Sequence, residues 1–521
     1  MKENLSFYFE SPEFKETLEK YMAMEENDSQ VYFDADQLTD IAEYFAKRVN
    51  LKKSYQAINY GLKIHPGNIN LMLHKARYTL LAGNCKKAWK ILDSIEDQND
   101  REVKFLKAEL YFEENNIEAA KKILNELYEE ENDTECILNI FNIYLDNCQE
   151  REALKWIKSA HKNNPEDVEI AKALAEFYYS NDKSKQAIEY FNKVLDKEPY
   201  NADSWYKLGQ CYIATDNIEE ALNAFDYCLA IEQDNVLALT TKGECLIELN
   251  NYEEGCKLLS KAEGLIEDGS QIRLLLIDCY MRMKKYPEAI AMCRKHRLAK
   301  DTDDFDKAQV ASFEALAYAY LGRFDEALEV IEYGIEADAH FSNLYIAKGE
   351  VYLLQNMIIE AQKEFSYAEH MAFDKEDVLL TLVLACIRCG FDSMALKYFV
   401  RLEEEYPDAC ADIYYLIAHC HYKEGNKEEM IKCIRKGYEE SEFTLDVIKA
   451  MPKFSGDEQF IMLLEEIIKN LESNPSLKTK TDNGQKIKRL RNFITKRNGN
   501  GGSRCCTWSF RRYHCLYCRY L

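Results

Sequence analysis

The feature that most constrains this chain is a repeat with a period of 34 residues. The segment 202–233, ADSWYKLGQCYIATDNIEEALNAFDYCLAIEQ, gives the template, with Ala202 taken as position 1. Steps of 34 residues in both directions bring a small residue to position 20 and an apolar residue to position 24. At 521 residues, the chain exceeds the size at which a single hydrophobic core stops growing. The period therefore predicts a row of stacked copies of one small unit.

Twelve copies of the repeat follow from this register, with four inserted residues before the ninth copy. Position 20 is Ala, Gly or Ser in eleven copies, and Glu429 is the exception. Glycine and proline are sparse, at 19 and 8 residues, which predicts helix nearly throughout. The copies are predicted to begin near Ala35, Ile69, Arg101, Thr134, Val168, Ala202, Val236, Ser270, Ala308, Ser342, Glu376 and Cys410.

The pattern resembles the tetratricopeptide repeat, a hairpin of two antiparallel helices. Small residues at positions 8 and 20 let the helices approach where they cross, and large residues at 4, 7, 11 and 24 fill the seams. Proline at position 32 ends the second helix. The resemblance implies an all-α fold, a right-handed superhelical solenoid of about twelve helix-turn-helix repeats. The repeat-defining residues are Trp205, Gly209, Tyr212, Ala221 and Phe225 of the template, with Ala187, Pro199, Gly349, Ala361 and Pro407 elsewhere.

Four regions are predicted. Residues 1–34 hold an N-terminal helix that caps the first repeat, although a docking arm for a partner is the alternative. Residues 35–443 are the tandem repeats, and 444–475 hold C-terminal capping helices, because the ends of a repeat array need a polar outer face. Residues 476–521 form a basic, Cys-rich tail with twelve Lys and Arg against one Asp, which leaves a net charge of −35 on the rest of the chain.

The tail is expected to be disordered or aberrant, because its composition changes abruptly from that of the repeats. Two alternatives stay open. A zinc site could use Cys505, Cys506, His514, Cys515 and Cys518, although their spacing is short for a zinc knuckle pair. The basic run 486–491 could contact nucleic acid or another anionic surface.

The sequence contains none of the motifs expected of an enzyme or of a cofactor-binding protein. Neither a phosphate-binding loop, a dinucleotide fingerprint, a zinc-protease helix nor a nucleophile elbow occurs. We therefore expect no catalytic activity, no cofactor and no structural metal in the repeats. The start of the chain lacks the apolar stretch of a secretory signal, and no 18-residue apolar run predicts a membrane span. Scattered single cysteines add to a cytoplasmic expectation.

In tetratricopeptide arrays the partner-binding surface is lined mainly by the first helix of each repeat. The resemblance therefore implies a groove at positions such as 2, 5, 6, 9 and 12, and positions 2 and 9 are each acidic in six of the twelve copies, which predicts an acidic groove. An acidic groove could also simply share the average charge of an acidic chain. The groove residues are predicted to be Glu43, Glu109, Glu135, Glu169, Glu176, Asp203, Tyr206, Glu244, Asp278 and Glu350.

The family members that hold the C-terminal tails of chaperones use a clamp of Lys and Asn side chains. Lys172 has the first clamp position, but Glu176 replaces the required Asn, and Asn142 lacks its Lys because Leu138 stands there. Chaperone tails are therefore not expected as partners. The predicted function is a non-catalytic protein–protein interaction scaffold that binds a protein or peptide segment in an acidic concave groove. The alternative is a regulatory subunit of a larger assembly, whose basic tail contacts nucleic acid or an anionic surface.

Overall fold

The computed structural model describes residues 8–9, 11–26, 31–48, 50–266, 269–299, 302–407, 410–411, 413–440, 454 and 456–472. Within these ranges the long elements are all α-helices and no strand occurs, which confirms the predicted all-α fold of helix-turn-helix repeats. The predicted tail, 476–521, lies outside the described residues, and so do the cysteines of the zinc alternative. Two compact units are present, Met1–Leu174 and Ala175–Leu521, and each is described by itself.

The N-terminal unit begins with a single helix and continues with helical hairpins. The last helix of this part of the chain contains the boundary between the two units. The helices are α1 (Pro12–Glu26), α2 (Ala35–Lys47), α3 (Leu51–Ile64), α4 (Ile69–Leu81), α5 (Cys85–Leu92), α6 (Arg101–Glu113), α7 (Ile117–Glu130), α8 (Thr134–Asp146), α9 (Glu150–Asn163) and α10 (Val168–Ser180).

The C-terminal unit continues the hairpins and ends, in the described residues, with a single helix. The helices are α11 (Ser184–Lys197), α12 (Ala202–Ala214), α13 (Ile218–Ile231), α14 (Val236–Glu248), α15 (Tyr252–Gly264), α16 (Ser270–Arg282), α17 (Tyr286–Arg297), α18 (Asp304–Tyr320), α19 (Phe324–Ala337), α20 (Ser342–Leu354), α21 (Ile358–Met371), α22 (Lys375–Arg388), α23 (Asp392–Glu405), α24 (Tyr414–Lys423), α25 (Lys427–Glu440) and α26 (Glu458–Glu472).

Consecutive helices from α2 to α25 pair into twelve repeats, numbered here in chain order. In nine repeats the first helix begins at the predicted residue. In repeat 9, α18 begins one turn early, at Asp304, because the Asp303 side chain accepts a hydrogen bond from the Asp306 amide at 2.7 Å and caps the helix there. In repeats 11 and 12 the first helices begin at Lys375 and Tyr414.

The turn between the two helices of a repeat has a left-handed residue at position 15. In the described residues this holds for repeats 2 to 12, and glycine, Asn or Asp fills most of these positions because they tolerate positive φ best. In repeat 12 the left-handed residue is Gly425, which moves the first position from Cys410 to Ala411. The residues with positive φ are Gly83, Asn115, Cys148, Asp182, Asp216, Asn250, Lys284, Gly322, Asn356, Gly390 and Gly425.

The small residues of the repeat stand where the two helices cross. Ala187, Ala221 and Ala361, at position 20, have no exposed surface. Gly209, at position 8, faces the ring of Phe225, and a Cβ added there would lie 2.6 Å from Phe225 Cε1. The ring therefore fills the space that a side chain at position 8 would occupy. Gly349 faces Phe365 in the same way in repeat 10.

Both single helices pack against the neighbouring repeat. Phe14 and Tyr21 of α1 are buried in one cluster with Ile41 of α2. At the other end, α26 buries Phe460 and Leu464 against repeat 12. The capping role of the end regions and their boundaries stay predictions.

Asp457 fixes the start of α26. Its carboxylate accepts a hydrogen bond from the Phe460 amide at 3.2 Å and lies 3.2 Å from His419 Nε2 of α24. Desolvation alone would raise the pKa of Asp457, but the hydrogen bonds from His419 and Phe460, with the charges of His419 and Lys423, lower it. The ionised carboxylate therefore stabilises the contact between α26 and repeat 12.

Candidate functional site

The first helices of consecutive repeats pack directly on one another, as α4 does on α6 and α20 does on α22. In the part of the chain that the structure describes, the more extensive contacts of the second helices are with first helices. The first helices therefore lie closer together than the second helices do. In each unit we call the surface that these helices share the first-helix face, and the predicted groove residues belong to the first helices.

Lys207 brings two of the predicted groove residues together on α10 and α12. Its Nζ lies 3.0 Å from Glu176 Oε1 and 2.8 Å from Asp203 Oδ2. Burial alone would lower the pKa of Lys207, but the two carboxylates raise it. Beside this group, Gln210 Nε2 donates a hydrogen bond of 2.5 Å to the hydroxyl of Tyr206. The result is a polar network rather than a row of free carboxylates.

The groove residues of repeats 1 and 3 are linked through repeat 2. Glu43 Oε1 lies 3.5 Å from His74 Nε2, and Glu109 Oε1 lies 3.5 Å from Arg77 Nη2. Desolvation is the main reason that the pKa of Glu109 is raised, and Arg77 opposes it. Burial lowers the pKa of His74 to about 4, and the charge of Arg77 adds to this effect, so the imidazole is neutral near pH 7.

Glu135 and Glu169 are exposed on α8 and α10. The Glu135 carboxylate lies 2.7 Å from Arg101 Nη2 at the start of α6, one repeat earlier. Arg101 also lies 3.3 Å from Asp133 and from Glu131, so one guanidinium serves several carboxylates. Glu169, by contrast, forms no ion pair with the residues that the structure describes.

In repeats 7 and 8, the acidic residues Asp278 and Glu248 of the first helices lie near Arg282. Asp278 is buried and its Oδ2 lies 2.9 Å from Arg282 Nε on the same helix. Glu244 and Glu248 lie one turn apart on α14. Glu248 has an exposed surface, yet much of its surroundings is protein. The resulting desolvation, together with the charge of Glu244, raises the pKa of Glu248 to about 7, and the charge of Arg282 opposes this rise.

Glu350 is the most buried of the predicted groove residues, at 1% exposure. Its carboxylate accepts hydrogen bonds from Arg388 of α22, one of them 3.3 Å from Nε, and from the Tyr320 hydroxyl of α18 at 3.4 Å. Three consecutive first helices are thereby joined at one carboxylate. In this arrangement Glu350 holds the repeats together and does not face solvent.

The carboxylates of the first-helix face thus fall into three groups. Asp278 and Glu350 are buried, and the residues Glu43, Glu109, Glu176 and Glu244 are half-buried. Glu135, Glu169 and Asp203 are exposed and can meet a partner directly. The prediction from sequence left out the basic side chains that pair with these carboxylates, although their positions in the repeat could have indicated them. Arg77 stands at position 9, Lys207 at position 6, and Arg282 and Arg388 at position 13.

Several repeat-defining residues take the places that the repeat predicts. Trp205 stacks on Tyr227 with ring centroids 4.5 Å apart, and its Nε1 donates a hydrogen bond of 2.8 Å to the carbonyl of Pro199. Tyr212 packs beside Phe225 in the core of repeat 6. Pro407 follows the end of α23 and is exposed.

Among the described residues, no group of three or more His, Cys, Asp or Glu side chains is arranged to hold a metal ion. In the same ranges, no helix is both long enough and apolar enough to cross a membrane. The cysteines of these ranges are free thiols, and most of them are buried.

Three family models match parts of the sequence, and the first two matches overlap at residues 225–238. Residues 103–238 match the family described as ChAPs (Chs5p-Arf1p-binding proteins), and residues 225–296 match anaphase-promoting complex, cyclosome, subunit 3. Residues 411–443 match the tetratricopeptide repeat. This last match begins at Ala411, the residue at which the left-handed turn places the start of repeat 12. No curated protein matches the sequence.

Solved structures with helical repeats resemble parts of the chain at low sequence identity. YrrB, described as a TPR protein with an unusual peptide-binding site, is 17% identical at a TM-score of 0.30, over 36% of this chain and 95% of that one. A tetratricopeptide repeat protein from Parabacteroides merdae ATCC 43184 is 19% identical at 0.28, over 54% and 97%. A chain of the APC/C hetero-tetramer Cut9-Hcn1 is 12% identical at 0.31, over 86% and 98%. With the matched families and the helical hairpins in register, the chain belongs to the tetratricopeptide repeat proteins.

Proposed function

We propose that this protein is a non-catalytic adaptor that binds a protein or peptide segment along the first-helix face. Tetratricopeptide families support a protein-interaction scaffold and are generally non-catalytic. The match of 103–238 to a family described as Chs5p-Arf1p-binding proteins supports a protein as the bound object. A repeat array binds through an extended surface rather than a deep pocket.

The observation that carries the proposal is the set of exposed carboxylates on the first-helix face. Glu135 and Glu169 are exposed at position 2 of two consecutive repeats of the N-terminal unit, and Asp203 is exposed at position 2 of repeat 6 in the C-terminal unit. A basic or polar segment is the matching partner, because opposite charges steer the encounter and fix its register. The buried carboxylates, Asp278 and Glu350, hold the face in shape.

The test neutralises the exposed carboxylates and compares two faces. The triple variant Glu135→Gln, Glu169→Gln, Asp203→Asn removes three charges from the first-helix face. The matched control removes three exposed carboxylates from the second helix α19, with Asp325→Asn, Glu329→Gln and Glu336→Gln. Circular dichroism melts establish that both variants are folded.

A partner is first captured by the full chain, identified by mass spectrometry, and its purified form is titrated by calorimetry. We expect the first-helix variant to weaken binding about tenfold, roughly 1.4 kcal/mol, and the α19 variant to leave it unchanged. Equal affinities for all three proteins would contradict binding at this face. Turnover of the captured protein by the chain would contradict the non-catalytic role.

A cytoplasmic location is part of the same proposal, supported by the scattered single cysteines of the sequence. Fluorescence microscopy of a tagged full-length chain in its own cell type tests it, and accumulation inside a secretory compartment would contradict it. The alternative role, with the basic tail as a contact for nucleic acid, rests on the charge of 476–521 alone.

A further inference from the structure

Tyrosine occupies position 26, on the second helix, in repeats 1, 6, 9 and 10. In repeats 9 and 10 a cation from the chain itself lies over the ring. Arg297 Cζ is 4.7 Å from the centroid of Tyr333, and Lys363 Nζ is 6.0 Å from that of Tyr367. Among the described residues, no Lys or Arg lies over the rings of Tyr60 and Tyr227, but Tyr60 is half-buried and its hydroxyl donates a hydrogen bond to the Val31 carbonyl at 2.6 Å. The ring at this position can thus bind a cation, and in repeat 6 it is exposed without one.

Tyr227 is held in place by an aromatic neighbour. Its ring stacks on Trp205 with centroids 4.5 Å apart and planes 24° apart. The hydrogen bond of 2.8 Å from Trp205 Nε1 to the Pro199 carbonyl fixes the indole in turn. Tyr227 is nevertheless 57% exposed, and Tyr200, which follows that proline, is 84% exposed. The stacked pair is therefore an ordered aromatic surface with open area.

The charge around this pair is negative. Helix α13 carries Glu219, Glu220 and Asp226 and has no basic residue. Asp226 is paired with Lys242, but Glu219 and Glu220 are exposed, and Glu220 lies two turns before Tyr227 on one side of the helix. An exposed aromatic face beside carboxylates attracts a cation through both the ring quadrupole and the field of the carboxylates.

We infer that the Trp205–Tyr227 pair is a docking site for an arginine side chain in a segment of a partner protein. Arginine fits better than lysine, because its guanidinium is planar, stacks on aromatic faces and is more weakly hydrated. The precedent of Arg297 over Tyr333 shows the same contact made within the chain. Trp205 belongs to the first helix of repeat 6 and Tyr227 to the second, and the inference uses none of the carboxylates that carry the proposed groove.

The test uses the full-length chain and two fluorescein-labelled peptides of equal charge, hexa-arginine and hexa-lysine. Affinity is measured by fluorescence anisotropy at physiological ionic strength. The variant is Tyr227→Ala, and the matched control is Tyr333→Ala, at the same repeat position but with its cation supplied internally. Both tyrosines lie on second helices and are partly exposed, and melting curves establish that the variants are folded.

We expect the wild type to prefer hexa-arginine over hexa-lysine by about threefold, and Tyr227→Ala to weaken hexa-arginine binding about fivefold and to abolish the preference. Tyr333→Ala should keep both affinities. Unchanged binding in folded Tyr227→Ala overturns the inference. So does an equal loss in both variants, since that pattern is general attraction to an acidic chain. Failure here leaves the groove proposal standing, because its variants change other residues.

Discussion

Lys284 occupies a backbone position that suits glycine. It stands at position 15 of repeat 8 with a φ of 55°, where repeats 2, 9, 11 and 12 have glycine. Its side chain is exposed, so its replacement removes little packing. We predict that Lys284→Gly stabilises the protein, because the Cβ that is strained in this conformation is removed.

The size of the effect is the difference between two opposing terms. A residue with a Cβ costs about 1–2 kcal/mol in the left-handed region. Glycine in turn makes the unfolded chain more flexible, which costs about 0.4–1 kcal/mol. The expected gain in the free energy of unfolding is therefore about 1 kcal/mol.

Urea denaturation followed by circular dichroism measures the change, with the midpoint compared between variants because a repeat array need not unfold in two states. Lys284→Ala is the matched control, and since it keeps a Cβ it should lie within about 0.5 kcal/mol of the wild type. Gly322→Ala, at the same position of repeat 9, should destabilise the protein by about 1 kcal/mol. The φ of Gly322 is 74°, and an added Cβ would meet no atom within 4 Å, so the cost measures the backbone strain without a steric clash. If Lys284→Gly is no more stable than Lys284→Ala, the strain argument for position 15 is refuted.

Three further predictions concern single contacts. Arg388→Met should lower stability in urea by about 3–5 kcal/mol by leaving the Glu350 carboxylate buried without its partner, and adding Glu350→Gln should restore part of the loss. Gly209→Ala should cost about 1–3 kcal/mol, since the new Cβ meets the Phe225 ring, and Phe225→Leu should then be less damaging than in the wild type; a thermal melt of the four proteins decides. The pKa of Asp457 is lower in the folded protein than in the unfolded chain, where it is about 4. The contribution of this carboxylate to the free energy of unfolding is therefore complete above the unfolded pKa and is lost as pH falls through the folded pKa. The difference in urea midpoint between wild type and Asp457→Asn should therefore be present at pH 7 and vanish in acid.

The repeat register could be predicted from the sequence because packing imposes it. A residue at a helix crossing must be small, so alanine at positions such as 187, 221 and 361 marks the second helix without any structure. The left-handed turn left an equally periodic signal of Gly, Asn and Asp at position 15, but Cys148 and Lys284 interrupt it. In repeat 12, where position 20 is not small, this turn and the start of the family match both place the beginning of the copy at Ala411.

The charge of the first-helix face could not be predicted from fixed positions, because a carboxylate is neutralised by neighbours that the period does not specify. Lys207 stands between Glu176 of the preceding repeat and Asp203 of its own helix, and bridges both. Arg388, by contrast, reaches Glu350 from the following repeat and buries it. Position 9 is thus acidic in both repeats, with opposite consequences for a partner. What a partner meets is set by which acids remain exposed after these inter-repeat pairs form, so recognition by this array depends on the basic residues as much as on the acidic ones.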